Sequence, residues 1–329
     1  MKRFKKILSR LVAASFMLLA PHAHAADYPD KPITLVVPFA SGGFVHMVAL
    51  MLSESMGPLL GQTVVVLNQP GANGMLAAGS VARATPDGYT IFLPTASILT
   101  INPHLYKNVT LDPIADFTPI GLVVNTSNMY VVHPDSGIDT FSDLIEKAKS
   151  APQAVSYGSS GTGSIQHIAG EALQRQAKLD LLHVPYKGIG PAINDVVGKN
   201  LTTVLADASA IPFIQSGRLR AIAVSPSAVD ELPGVPTLAE AAEKAGIPGY
   251  AAPQLWYGLV APKGTPEPVI DKLSAALAKA LERPDIREKL LAAGAIPATD
   301  TSSAFLSGVI RKDYERYGEQ IKSLNITID

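Results

Sequence analysis

Residues 33–43 read ITLVVPFASGG, and residues 154–164 read AVSYGSSGTGS. In each, a short β-type run meets a glycine-rich turn, and residues with helical spacing follow, near 44–56 and 164–176. A strand–glycine turn–helix junction exposes backbone N–H groups at the positive end of a helix dipole. That is a ready place for a carboxylate or phosphate. Two such junctions in separate halves of the chain predict a cleft that grips one small anion from both sides.

Outward from these turns, strand-like and helix-like segments alternate, which predicts α/β layers with mainly parallel sheets. TVVVLN (63–68) leads through Gly71-Ala72-Asn73-Gly74 to a helix near 75–84, and Tyr89 to Leu93 is the third strand. Ile120–Val124 and Met129–His133 read as strands separated by the polar residues 125–128. A second unit follows: helix 140–150, strand 154–157, helix 164–176, strand 181–186, helix 190–198 and strand 202–207. Arg220 to Val224 completes it. A polar, Pro-containing stretch (226–253) precedes LWYGLVAP (255–262), where the chain returns to the first half. Helices at 266–282, 284–293 and 301–323 close the molecule. Pro266 and Pro284 stand where a helix start tolerates proline.

The first 25 residues predict an export signal. Lys2, Arg3, Lys5, Lys6 and Arg10 precede an apolar run from Leu11 to Ala20, and Ala23-His24-Ala25 has the small-x-small form of a cleavage site. That run is shorter than the ~20 residues a membrane span needs, so no membrane anchor is expected. Five of the 27 basic side chains lie in this leader, leaving 22 against 28 acidic ones, a net charge near −6. This balance disfavours a nucleic-acid partner. It also requires that an anion be captured by local dipoles rather than by the overall field. The chain has no cysteine, so neither a disulfide nor a thiolate nor a lipidated cysteine takes part. The expected setting is the bacterial periplasm, with the signal cleaved near Ala25.

Enzyme motifs fail at particular residues. Gly158-Ser159-Ser160-Gly161-Thr162 has threonine where the nucleophile elbow needs glycine. Gly161-Thr162-Gly163-Ser164-Ile165-Gln166 ends in glutamine where a dinucleotide fingerprint needs its third glycine. Gly198-Lys199-Asn200 lacks the Ser/Thr of a P-loop. No histidine pair beyond the leader has metal-ligand spacing, so neither cofactor nor metal is expected.

The second turn is the richer in donors, with Ser159, Ser160, Thr162 and Ser164 around two glycines, although a plain serine-capped helix start would look similar. His167 reads either as a neutral donor to the anion or as a buried helix residue bonded to a nearby carbonyl, and His183 has the same two readings. Lys187 reads as a solvated turn residue, Asp207 as a cleft acceptor or a turn cap. Trp256 and Tyr257 read as core near a hinge, or as a ligand wall.

The chain from Tyr28 onward resembles the extracytoplasmic solute receptors of tripartite tricarboxylate transporters, the Bug family. The resemblance rests on YPDKPI (28–33), VVPFASGG (36–43), NQPGANG (68–74), PDGYT (86–90), INPHLY (101–106), HVPYKG (183–188), GRLRAIAV (217–224), LPGVPTLAEA (232–241) and APKGTP (261–266), in this order. It implies a two-lobed type II periplasmic-binding fold. Lobe one would comprise 27–124 and 254–329, and lobe two 125–253, with the ligand cleft between them. It further implies capture of a small organic carboxylate without chemistry, and transient delivery to a membrane permease of two subunits; a monomer is expected. The family's ligand contacts fall here on Phe39, Ser41, Gly42, Gly43, Thr95, Ala96, Ser97, Ser159, Ser160, Gly161, Thr162, Gly163, His167, Tyr186 and Asp207. Where the family commonly has an acid after Gly-Gly, this chain has Phe44-Val45-His46, so His46 joins the set and a dicarboxylate without an ammonium group is expected. Rival readings are an accessory that presents the ligand to a signalling receptor, and a secreted hydrolase using Ser160 or His167.

Overall fold

The computed structural model describes residues 28–106, 111–225, 232–252 and 255–324, and Lys31 onward belongs to one compact unit. The expected export signal and cleavage site lie outside the described residues.

Eleven strands form two sheets among the described residues. The first contains β1 (Ile33–Val37), β2 (Val64–Asn68), β3 (Thr90–Phe92), β4 (Phe117–Thr126), β10 (Leu255–Pro262) and β11 (Ala295–Pro297). Its strand order is β11-β4-β10-β3-β1-β2. The second contains β5 (Asn128–Val132), β6 (Ser156–Ser159), β7 (Leu182–Pro185), β8 (Thr203–Ala206) and β9 (Arg220–Ser225), in the order β7-β6-β8-β5-β9. Each sheet is mixed. Pairing is parallel where strand–helix–strand units build it, at β1 with β2 and β3, and at β6 with β7 and β8. It is antiparallel around β4, β10 and β11, and around β5, the strands at the crossings between sheets and their neighbours.

Twelve helices accompany them among the described residues. Those of the first half are α1 (Phe44–Leu60), α2 (Met75–Ala82), α3 (Ala96–Thr100), α4 (Asn102–Leu105), α5 (Phe141–Ser150) and α6 (Ile165–Ala177). The others are α7 (Ile189–Val197), α8 (Ile211–Gln215), α9 (Leu238–Lys244), α10 (Glu267–Glu282), α11 (Pro284–Ala292) and α12 (Ser303–Leu324). None is long and apolar enough to cross a membrane.

The chain leaves the first sheet at Thr126 and is already paired in the second at Asn128, so only Ser127 lies between them. The expected polar break at 125–128 is thus strand. Asn125 and Thr126 pair with Trp256 and Leu255 of β10, and also with β11, which gives their backbone groups partners on both sides. The polar, Pro-containing stretch 226–253 contains α9, whose start is a capping box made by Thr237 and Glu240.

Apolar packing fixes each sheet's helices. β1 has four of its five residues buried, and both α1 and α2 pack on it. In the second sheet Tyr130, Val155, Tyr157 and Leu205 pack with Phe141, Leu144 and Ile145 of α5, Leu173 of α6, and Tyr250. Burial at roughly 25 cal/mol per Å² of apolar surface makes such faces the main stabilising term. The strands' carboxyl ends, where the glycine turns begin, remain for the site.

Candidate functional site

Helix starts converge at the carboxyl ends of β1 and β6. Gly43, Phe44, Val45 and His46 from the start of α1 line one cavity together with Ile165 and Gln166 from the start of α6 and Gly188 and Ile189 from the start of α7. Thr95 and Ser97, from the start of the short α3, complete its polar wall, their hydroxyls 2.9 Å apart. None of α1, α6 and α7 has an acidic residue in its first turn. Of the helices that start elsewhere, α5, α9, α10 and α11 carry Asp143, Glu240, Glu267 and Asp285 there, whereas α2, α8 and α12 have no such acid. A carboxylate at a helix start neutralises the positive dipole end. At the cavity that role is left unfilled by the helices themselves.

The one acidic side chain on the cavity wall is Asp207, only 3% exposed. It serves as the cap of the turn after β8, accepting from the Ser209 amide (3.0 Å) and hydroxyl (2.5 Å), while the Tyr257 hydroxyl lies 3.5 Å from its other oxygen. Burial raises its pKa, against the lowering effect of these donors. Of the two sequence readings of Asp207 the turn cap is observed, and the same residue borders the cavity.

The free space of this cavity is about 30 Å³. A second, outer space of about 360 Å³ is lined by Gly71 to Gly74, Tyr106, Gly161, Thr162, Tyr186 and Lys187. Phe39 and Ser160 border both. Elements of the two sheets meet directly around them. The Tyr106 hydroxyl donates to the Thr162 carbonyl at 2.5 Å, and the Ala40 amide to the Lys187 carbonyl at 3.3 Å.

The second glycine turn is braced internally. Ser159 Oγ accepts from the Gly161 amide (3.2 Å) and lies 2.7 Å from His183 Nε2. Ser164 caps α6 by accepting from the His167 amide, and Ser160 Oγ donates to Gln166 Oε1 at 3.0 Å. Gly161 has φ +136°, open to glycine alone at low cost, and a Cβ there would stand 3.4 Å from Asn73. His167 lies behind the turn: its Nδ1 accepts from the Gly163 amide at 3.1 Å, and its ring stacks on His183 at 4.3 Å. Burial lowers the pKa of His167; burial and the His167 charge push that of His183 down to about 4.

Of the expected site residues, the structure brings Phe39, Gly43, His46, Thr95, Ser97, Ser160 and Asp207 to the cavity, and Gly161, Thr162 and Tyr186 to the outer space. Ser41, Gly42, Ala96, Ser159, Gly163 and His167 are not among the described residues lining either. Ser41 and Gly42 form the exposed crest of the first turn, whereas Ala96 and Ser159 are fully buried beneath the site. Phe44 and Tyr257, each read from the sequence as a possible ligand wall, line the cavity together with Gln166, and Lys187, read as a solvated turn residue, borders the outer space. Ile189 and Gly188 are new to the set, although Lys187-Gly188 is a third glycine junction between strand and helix. Asn73 and Tyr106 fall in the quoted motifs NQPGANG and INPHLY, but nothing local shows that they border the site, because the fold brings them there from separate segments. The His46 ring is half-buried, and its Nδ1 finds no partner among the described residues.

Comparison with known proteins bears on the fold and the family. The periplasmic binding protein BugD superposes with a TM-score of 0.85 at 36% identity, covering 91% of this chain and 99% of BugD. MatC (Rpa3494) from Rhodopseudomonas palustris with bound malate gives 0.83 at 30% identity, covering 89% and 99%. Rpa4515 of R. palustris with adipate gives 0.84 at 30%, covering 91% and 99%. The two-lobed periplasmic-binding fold expected from the sequence is thus the fold of its solved relatives. Residues 48–326 match the family model described as tripartite tricarboxylate transporter family receptor, and the chain belongs to that family.

Proposed function

We propose that this protein is a periplasmic receptor that captures a small organic dicarboxylate, without chemistry, for a two-subunit membrane permease. The observation that carries the reading is the meeting of three helix starts, all lacking a first-turn acid, at one cavity. An anion supplies there the negative charge that the helices themselves omit. Relatives with malate and adipate support a carboxylate of that size. In this reading the two sheets belong to lobes spanning 27–124 with 254–329, and 125–253. The lobes hinge at the crossings after Thr126 and before Leu255. A cavity of about 30 Å³ admits about two water molecules, so the ligand enters while the lobes are parted. Closure then excludes water and strengthens each hydrogen bond. Charge-assisted bonds contribute about 1.5–3 kcal/mol each, so a few are compatible with micromolar affinity. The apolar wall of Phe39, Phe44, Ile165 and Ile189 suits a hydrocarbon chain between two carboxylates.

Asp207 favours a second reading, in which the ligand carries a hydroxyl or ammonium donor facing that carboxylate. Calorimetry with adipate, succinate, malate, glutamate and citrate separates them. Tighter binding of adipate or succinate than of glutamate supports the dicarboxylate reading, and the reverse order rejects it. Delivery to a permease, as against presentation to a signalling receptor, is tested by uptake of the labelled ligand in cells with the receptor gene deleted. Undiminished uptake rejects the transport role.

A further inference from the structure

Two histidines stand behind the second glycine turn, and each touches the turn's own groups. The Gly163 amide is an obligate donor, so the His167 Nδ1 that accepts from it at 3.1 Å carries a lone pair. In the neutral ring the proton is therefore on Nε2, which faces Glu171 Oε1 at 3.9 Å. On the other side His183 Nε2 meets Ser159 Oγ, the atom that also accepts from the Gly161 amide. The rings stack at 4.3 Å with planes 23° apart.

We propose that His167 and His183 form a proton-sensitive brace: the neutral pair pins the second glycine turn in its binding shape, and acidification releases it. A proton arriving at His167 Nδ1 removes the only acceptor the ring offers to Gly163 and sets an N–H against an N–H. Two stacked imidazolium rings would also repel. The groups facing the pair oppose or permit charge as follows. Glu171 of α6 favours a charged His167; Tyr157 of β6 stacks on His183 at 4.9 Å and lies 3.4 Å from Glu171. Tyr106 approaches Gly163 from the other side, and Tyr130 and Tyr250 lie deeper in the same core. Tyr186 beyond β7 is occupied by Asp195 of α7, Lys187 is exposed, and β8 contributes no ionisable group. Burial lowers the pKa of both histidines, in keeping with a brace that works uncharged.

The sign follows from linkage. The pinned turn holds His167 below its ordinary pKa, whereas the released turn lets it titrate near ~6.5. Acid therefore favours the released turn. Binding should be nearly independent of pH above about 7 and weaker at pH 5.5 than at pH 7.5, by at most about tenfold. The ligand arm rests on the proposed function; the spectroscopic arm does not.

Affinity for adipate is measured by calorimetry from pH 5.5 to 8 on the wild type, His167→Asn and His167→Ala. Asparagine keeps an acceptor near the Nδ1 position without a titrating proton. The ratio of wild-type to His167→Asn affinity cancels the ligand's own titration. It should fall towards pH 5.5, by at most about tenfold, while His167→Ala binds weakly throughout. A constant ratio, or one that rises in acid because imidazolium attracts the anion, overturns the brace. In parallel, nitrogen-15 NMR of the ligand-free wild type should show His167 as the Nε2–H tautomer, with protection of the Gly163 amide lost as that ring titrates. Titration of His167 without change at Gly163 overturns the brace whether or not adipate binds. Failure of adipate and the other carboxylates to bind, with the NMR result as expected, rejects the functional reading alone.

Discussion

The Tyr106 hydroxyl reaches from the end of α4 to the Thr162 carbonyl, at 2.5 Å, and so ties the first half of the chain to the second glycine turn. The tyrosine is half-buried, and burial raises its pKa, so it remains a donor across the physiological range. Tyr106→Phe should remove one hydrogen bond of the closed arrangement, a net effect of about 0.5–1.5 kcal/mol. The expected result is adipate release accelerated about two- to tenfold, with little change in association. Stopped-flow kinetics check this; an unchanged release rate would show that the bond does not hold the closed form.

Gly161 is constrained by its backbone more than by space. Its φ of +136° is a region that side chains rarely adopt, and the Asn73 backbone and Cβ stand 3.4 Å from the position a methyl group on residue 161 would take. Gly161→Ala should cost about 1–3 kcal/mol of stability and lower ligand affinity at least tenfold. Thermal unfolding followed by circular dichroism, with calorimetry of the folded variant, separates the two effects. Wild-type affinity in that variant would count against a binding role for the turn.

What the sequence made legible were the features encoded locally. The glycine turns at 38–43 and 159–163, and the strands feeding them, needed only neighbouring residues to be read. Partnership in space was not legible. β11 is three residues long and exists because Ala295 and Pro297 pair with Thr126 and Val124 of β4. α3 has the apolar sequence ASILT, which suits a strand as well as a helix. At the site, the turns could be found but not their facing. Gly43 borders the cavity while Ser41 and Gly42 crest outward, and His167 braces the turn from behind. The α9 start is a different case, since Thr237 and Glu240 spell a capping box that the sequence displays. Thr237→Ala should therefore cost about 1 kcal/mol of stability and leave ligand affinity untouched, because α9 does not line the cavity among the described residues.

Asp207 gives a test with opposite signs for the two ligand classes. Its folded-state pKa is raised, chiefly by burial, so its stabilising contribution is complete below the unfolded value and is lost as pH rises through the folded one. Asp207→Asn keeps an oxygen that accepts from Ser209 and removes that loss, so the variant should melt higher than wild type at pH 8 and not at pH 4. For adipate, removal of a like charge from the wall should tighten binding several-fold at pH 8. For a ligand with an ammonium group the same change should weaken it. Weaker adipate binding in Asp207→Asn would transfer the weight to the second reading.

Trp256 offers a native reporter of binding. It is the one tryptophan of the chain, 2% exposed, and lies on β10 between Leu255 and Tyr257, both on the cavity wall. Its indole N–H donates to Asp313 of α12 at 2.8 Å, and Arg316 holds the other oxygen of that carboxylate at 2.9 Å. Leu255 and Tyr257 flank Trp256 on the cavity wall, so a ligand filling that cavity changes the packing and polarity around β10 and with them the surroundings of the indole. Ligand binding should therefore alter tryptophan emission saturably, with a midpoint equal to the calorimetric Kd, and the signal should vanish in Trp256→Phe while affinity persists. Asp313→Asn should keep the hydrogen bond but weaken the ion pair, leaving the affinity within about twofold and changing the emission of both free and bound forms. Emission that stays constant on binding adipate, in a protein shown by calorimetry to bind it, would place the ligand away from Leu255 and Tyr257.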